Sequence, residues 1–144
     1  MLKYFFPLIA LSLIGCASAK LTSKFSLAKQ SDKKALIYLY RLKTIYHSLD
    51  PDVPSIYFND KKIGPLKIGG YFAQEVEPGK VEISFSVPLF GIPMWRSSRK
   101  VNMNVKAGYS YFVKYEEEMM GFYFDPVPAA QGLREIRTTR LLKQ

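Results

Sequence analysis

Apolar positions in this chain fall in short runs separated by turn residues, and they repeat with the period of strands. Residues 34–41, KALIYLYR, form a compact run rich in Ile, Leu and Tyr and bounded by charge. A run so short, apolar at consecutive positions, predicts a central strand buried on both faces. Residues 53–59, VPSIYFN, predict a second strand, with Pro51 and Pro54 crowding its start as at a sheet edge. Asn59-Asp60-Lys61-Lys62 is turn chemistry before a short strand over 63–66. In GGYFAQEVEPGKVEISFSV, Val81, Ile83, Phe85 and Val87 alternate with Glu82, Ser84 and Ser86. That alternation is the signature of a half-buried strand. Pro78-Gly79 fits the centre of a type II turn, Pro presetting φ and Gly accepting φ > 0, so a hairpin is predicted there.

Further on, Val101, Met103 and Val105 alternate with polar residues, and Gly108 turns the chain into a strand over 109–116. GFYFD, residues 121–125, predicts one more. Short strands at this spacing, with little helical periodicity, predict a single all-β sandwich over residues 32–144. The C-terminal GLREIRTTRLLKQ admits two readings. As a helix it is a short basic amphipathic segment, with Arg134, Arg137, Arg140 and Lys143 against Leu133, Ile136, Leu141 and Leu142. As a strand it would complete the sheet.

The N-terminus follows another pattern. Lys3 precedes an apolar stretch from Tyr4 to Ile14, and small Gly15 follows. This is the layout of a secretory signal. The uncharged stretch, interrupted by Pro7 and Gly15, ends at Lys20, short of the ~20 apolar residues a spanning helix needs. Cys16 is the chain's one cysteine. Leu13-Ile14-Gly15-Cys16 resembles the lipobox of bacterial lipoproteins. The resemblance implies removal of residues 1–15 as a signal peptide, a diacylglyceryl thioether on Cys16 and acylation of the new amino terminus. An ordinary secreted protein with a free thiol is the alternative. Ala17 is not the aspartate that retains such lipoproteins in the inner membrane, so the resemblance implies an outer-membrane address facing the periplasm. Residues 16–31, small, polar and basic after Cys16, are expected to form a lipidated spacer.

The stretch from VPSIYFNDKKIGPLKIGG through the Pro-Gly turn resembles the core of surface β-domains with the PEGA pattern. With ALIYLYR upstream and AGYSYFVKY downstream, the chain is similar to a family of small bacterial lipoproteins known only as a domain of unknown function. The resemblance implies a sandwich of the prealbumin or carboxypeptidase-regulatory-domain type, with Gly64, Pro78, Gly79 and Gly108 as structural turn residues. Asp60 departs from it, since such turns usually carry Gly. The resemblance brings no catalytic residue.

Composition narrows the chemistry. The formal charge of +9 falls to about +8 once Lys3 is removed, an excess that favours anionic partners. A tethered, exported chain points to anionic lipid, saccharide or an envelope protein rather than nucleic acid. His47 is the sole histidine and lies near Asp50 and Asp52, with no Gly-x-Ser-x-Gly turn to supply a nucleophile. An envelope hydrolase or metal-handling protein using His47 and these carboxylates is the alternative to a non-catalytic binding or structural module. Glu116 to Glu118, before Met119-Met120, occupy a strand and alternate faces, so they do not converge on a metal. No metal and no cofactor beyond the lipid on Cys16 are expected. PLFGIPMWRSSRK, residues 88–100, reads as a loop in which Leu89, Phe90, Met94 and Trp95 sit beside Arg96 and Arg99. Such a loop is a partner contact, or a plug for one end of the sandwich.

Overall fold

The computed structural model describes residues 25–45, 52–89, 92–95, 100–118 and 121–144. In chain order the strands are β1 (Ala35–Arg41), β2 (Ser55–Phe58), β3 (Lys61–Pro65), β4 (Gly70–Val76) and β5 (Gly79–Leu89). They continue with β6 (Ile92–Trp95), β7 (Val101–Val105), β8 (Ser110–Glu118) and β9 (Gly121–Val127). A helix, α1 (Ala129–Ile136), and a two-residue strand, β10 (Arg140–Leu141), close the chain. One sheet has the order β10-β4-β1-β8-β9; the other runs β3-β2-β5-β6, with β7 also on β5. The protein is an all-β sandwich with one short C-terminal helix.

β1 is the axis of the first sheet, antiparallel to β4 and parallel to β8, and every residue in it is buried. Its alternation accounts for this. Ile37 and Leu39 face the second sheet and join Phe72, Ile56, Ile83 and Phe85 in the inter-sheet core. Leu36, Tyr38 and Tyr40 face outward and pack with Tyr71, Phe112 and Ile136 of α1. A strand covered on both faces must be apolar at consecutive positions, as KALIYLYR is. The chain is already held at Phe25, within the stretch expected as spacer. The Phe25 ring meets Tyr38 and Tyr71 edge-on at 5.7 and 5.4 Å, and the Ala28 N–H donates to the Tyr38 hydroxyl at 2.9 Å.

The predicted Pro78-Gly79 hairpin is not formed. β4 pairs with β1 and β10, whereas β5 pairs with β2, β6 and β7, so Pro78 and Gly79 carry the chain from one sheet to the other. Gly79 does take a positive φ, 123°, in open space. Alternation along β4 and β5 says which face each strand buries. It says nothing about which strand lies alongside. Gly108, φ 79°, lies at another crossing between sheets, from β7 to β8, and its N–H donates to the Lys34 carbonyl. Gly64 sits inside β3, at a register shift opposite Ile56 and Tyr57.

β2 is not an edge strand: it lies between β3 and β5. Pro54 precedes the ladder and removes no donor from it, while its carbonyl accepts from Leu66 N. Nor are residues 88–89 and 92–95, expected within a loop, open chain. β5 continues through Pro88 and Leu89, and β6 folds back on it with Pro88 opposite Pro93. A facing proline pair suits a position where neither N–H is needed in the ladder.

The β2–β3 turn is tight, with Asn59 and Asp60 both at positive φ, 46° and 64°. That combination is the one a two-residue I′ hairpin requires, and Gly serves best at its second position. Asn59 tolerates the strain because it is tied to β5: its N–H donates to the Glu82 carbonyl and its Oδ1 accepts from Glu82 N. Asp60→Gly is therefore expected to stabilise the fold. The relief of a left-handed Cβ is about 1 kcal/mol, offset in part by the freer unfolded chain, and denaturant melts measure the net gain.

Candidate functional site

Charged and hydrogen-bonding side chains converge at one end of the first sheet, where β1 and β8, parallel neighbours, both finish. Alternation sends them to opposite faces. Arg41 follows Leu39 into the inter-sheet side and is completely buried, and Glu117 reaches the same side from β8. Their ion pair is direct. The second guanidinium nitrogen of Arg41 donates to the Asp52 carbonyl at 3.1 Å and to the Leu66 carbonyl at 3.4 Å. The Tyr115 ring lies under the guanidinium, 5.4 Å from its centroid.

On the outer face stand Tyr40, Lys114 and Glu116, covered by α1. Tyr40 donates its phenolic hydrogen to Glu135 Oε2 at 2.6 Å, and Gln131 Nε2 donates to the other carboxylate oxygen at 3.0 Å. Lys114 pairs with Glu116 and lies 3.7 Å from Glu135. Burial, reinforced by the bond to the Glu135 carboxylate, pushes the Tyr40 phenol far above its ordinary range. Burial alone would raise the Glu135 carboxyl. The donors Tyr40 and Gln131 and the Lys114 cation outweigh it and hold the group below the usual carboxylate range. Burial likewise works against the Lys114 charge, but Glu116 and Glu135 prevail and raise its pKa. Each pKa is thus displaced away from neutral pH, which keeps the phenol protonated, the carboxyl ionised and the ammonium charged. These bonds and charges tie α1 to the outer face of the sheet.

α1 reaches the sheet closely because residue 132 is glycine. A Cβ built there would lie 2.3 Å from Phe112 Cγ. Both readings of the C-terminus are realised in part: the helix carries Arg134, and after Thr138 and Thr139 the chain turns so that Arg140-Leu141 extends the sheet beside β4. In sequence, residue 41 reads as the charged boundary of an apolar run. Its shared parity with Ile37 and Leu39 was the signal that it faces inward. The partnership of Tyr40, Lys114 and Glu135 left no local trace, since 95 residues separate Tyr40 from Glu135.

Cys16, His47, Asp50, Phe90, Arg96 and Arg99 lie outside the described residues, as do Met119 and Met120. Met94 and Trp95 fall on β6. Asp52 supplies its carbonyl to Arg41. Glu116 and Glu117 diverge to opposite faces, each to its own cation. Among the described residues no cluster of three or more His, Cys, Asp or Glu is placed to hold a metal, and no helix is long and apolar enough to cross a membrane.

No curated protein and no solved structure matches the chain. A family match spans residues 31–126, from just before β1 to near the end of β9, and so includes both members of the buried Arg41–Glu117 pair. The chain belongs to the family described as Protein of unknown function (DUF2846).

Proposed function

We propose that the protein is a lipid-anchored lipoprotein of the bacterial cell envelope, facing the periplasm from the outer membrane, whose PEGA-like sandwich is a non-catalytic binding or structural module. The observation that carries this reading is the position of Leu13-Ile14-Gly15-Cys16. The motif closes an apolar signal segment and stands nine residues ahead of Phe25, whose ring packs on Tyr38 of the domain. At ~3.3–3.6 Å per residue the intervening chain reaches at most about 30 Å, which keeps the sandwich close to the lipid surface. Several acyl chains hold a protein stably where one alone is marginal. The network of Tyr40, Lys114 and Glu135, with each pKa displaced away from neutrality, supports a module without proton chemistry at this end.

Intact mass and membrane fractionation test the anchor. The wild-type chain is expected to lack residues 1–15 and to carry the acyl mass on Cys16, whereas Cys16→Ser remains unprocessed or soluble. Wild-type protein retaining residues 1–15 without acyl mass would sink the reading.

A further inference from the structure

The fold gathers cations that are far apart in sequence around the open end of the β4–β10 edge. Gly69 is the hub. Its N–H donates to the Arg41 carbonyl and its own carbonyl accepts from Arg140 N. Lys43 Cβ lies 4.0 Å from where a Gly69 Cβ would stand. Lys67 closes the turn into β4 by accepting from Gly70 N, and Arg137 is three residues from Arg140, just past α1. Lys43, Lys67, Arg137 and Arg140 are all exposed and, among the described residues, none is in an ion pair. Of the carboxylates at this end, those of Glu117 and Glu116 are engaged by Arg41 and Lys114. Beside the cations stand two apolar side chains in solvent, Ile45 at 81 % exposure and Leu141 at 39 %.

The path of the N-terminal segment adds direction. Ser110 Oγ donates to Gln30, at the start of β8, while Phe25 packs on Tyr71, which is registered opposite Leu141. Traced back from residue 31 to residue 25, the chain therefore runs across the outer face toward the β10 edge and the end where β1 finishes. The acylated residue would lie upstream of that point, within the short reach already given.

We infer that this basic end, Lys43, Lys67, Arg137 and Arg140 with Ile45 and Leu141, docks on the anionic phospholipid surface that holds the anchor. The inference rests on the anchor reading. Cations near an anionic leaflet attract it within a Debye length, and exposed apolar side chains among them can enter the interface. The tether supplies proximity; the patch sets orientation, leaving β7, paired with the Gly79 end of β5, turned away from the lipid.

The test uses the lipidated chain in vesicles, with Leu141→Cys carrying the environment-sensitive dye NBD; Cys16, being acylated, takes no label. Emission is expected to rise and shift to the blue in phosphatidylcholine vesicles containing phosphatidylglycerol, compared with phosphatidylcholine alone. The shift should vanish at about 1 M salt, where the Debye length is about 3 Å. Replacing Lys43, Lys67, Arg137 and Arg140 by Gln should reduce docking roughly fivefold per cation removed. NBD at Tyr109→Cys, before the opposite end of β8, should stay unchanged. Identical Leu141→Cys emission in the two lipid mixtures, or an equal shift at Tyr109→Cys, overturns the inference while the acyl mass leaves the anchor standing. A response to soluble dextran sulfate but not to phosphatidylglycerol assigns the patch to anionic saccharide and overturns it too. Absence of the acyl mass overturns both readings.

Discussion

Glu117→Ala is expected to lower the unfolding free energy by about 3–5 kcal/mol, the cost of leaving a buried charge without its partner. Arg41 is completely buried and the Glu117 side chain is only 7 % exposed, so water cannot replace the lost carboxylate without opening the sandwich. The carbonyls of Asp52 and Leu66 and the Tyr115 ring would remain around the guanidinium. They solvate the cation but carry no compensating charge. The pair itself need not be a net source of stability, because both ions give up hydration to reach this position. Arg41→Met combined with Glu117→Leu is therefore expected to be neutral or stabilising by about 1–4 kcal/mol. Urea melts of the single and double variants give the coupling directly. A loss below about 1 kcal/mol for Glu117→Ala would show that the two groups do not depend on each other.

Gly132→Ala is expected to destabilise the domain by about 1–3 kcal/mol, against the sign that helix propensity alone dictates. In an exposed helix interior Ala is better than Gly by about 0.8–1.0 kcal/mol. Here the new methyl would meet Phe112 Cγ at 2.3 Å and Cβ at 2.4 Å. Phe112 cannot easily retreat, since its ring is stacked on Tyr38 at 5.0 Å with the planes 14° apart. Either α1 lifts, straining the Tyr40–Glu135 bond, or the aromatic stack shifts. Gly132→Val should cost more than Gly132→Ala, and Phe112→Leu should make Gly132→Ala cheaper than it is in the native background. Thermal melts of these variants decide the matter, and a higher Tm for Gly132→Ala would show that helix and sheet are farther apart than this.

Sequence pattern by itself determined the class of fold and the texture of its central strand. ALIYLY, within KALIYLYR, could be placed as a strand buried on both faces because an apolar or aromatic residue at every position admits no exposed side. The alternation over 81–87 likewise marked one buried face, and all four of Val81, Ile83, Phe85 and Val87 are in the inter-sheet core. The turn chemistry of Asn59-Asp60 was also legible, since positive φ is a local property of the backbone.

Strand partnership was decided only in three dimensions. Val76 and Gly79 are joined by two residues, yet β4 lies beside β1 and β5 beside β2, because a strand's period is the same whichever sheet receives it. The burial of Arg41 depends on Glu117 arriving in parallel register from β8, 76 residues away. The network of Tyr40, Lys114 and Glu135 needs α1 to be seated on the sheet, and Gly132 permits that only because Phe112 lies opposite. The basic end is also tertiary in origin. Lys43, Lys67, Arg137 and Arg140 become neighbours because Gly69 is bonded to β1 on one side and to the last strand on the other, a juxtaposition that no local spacing encodes.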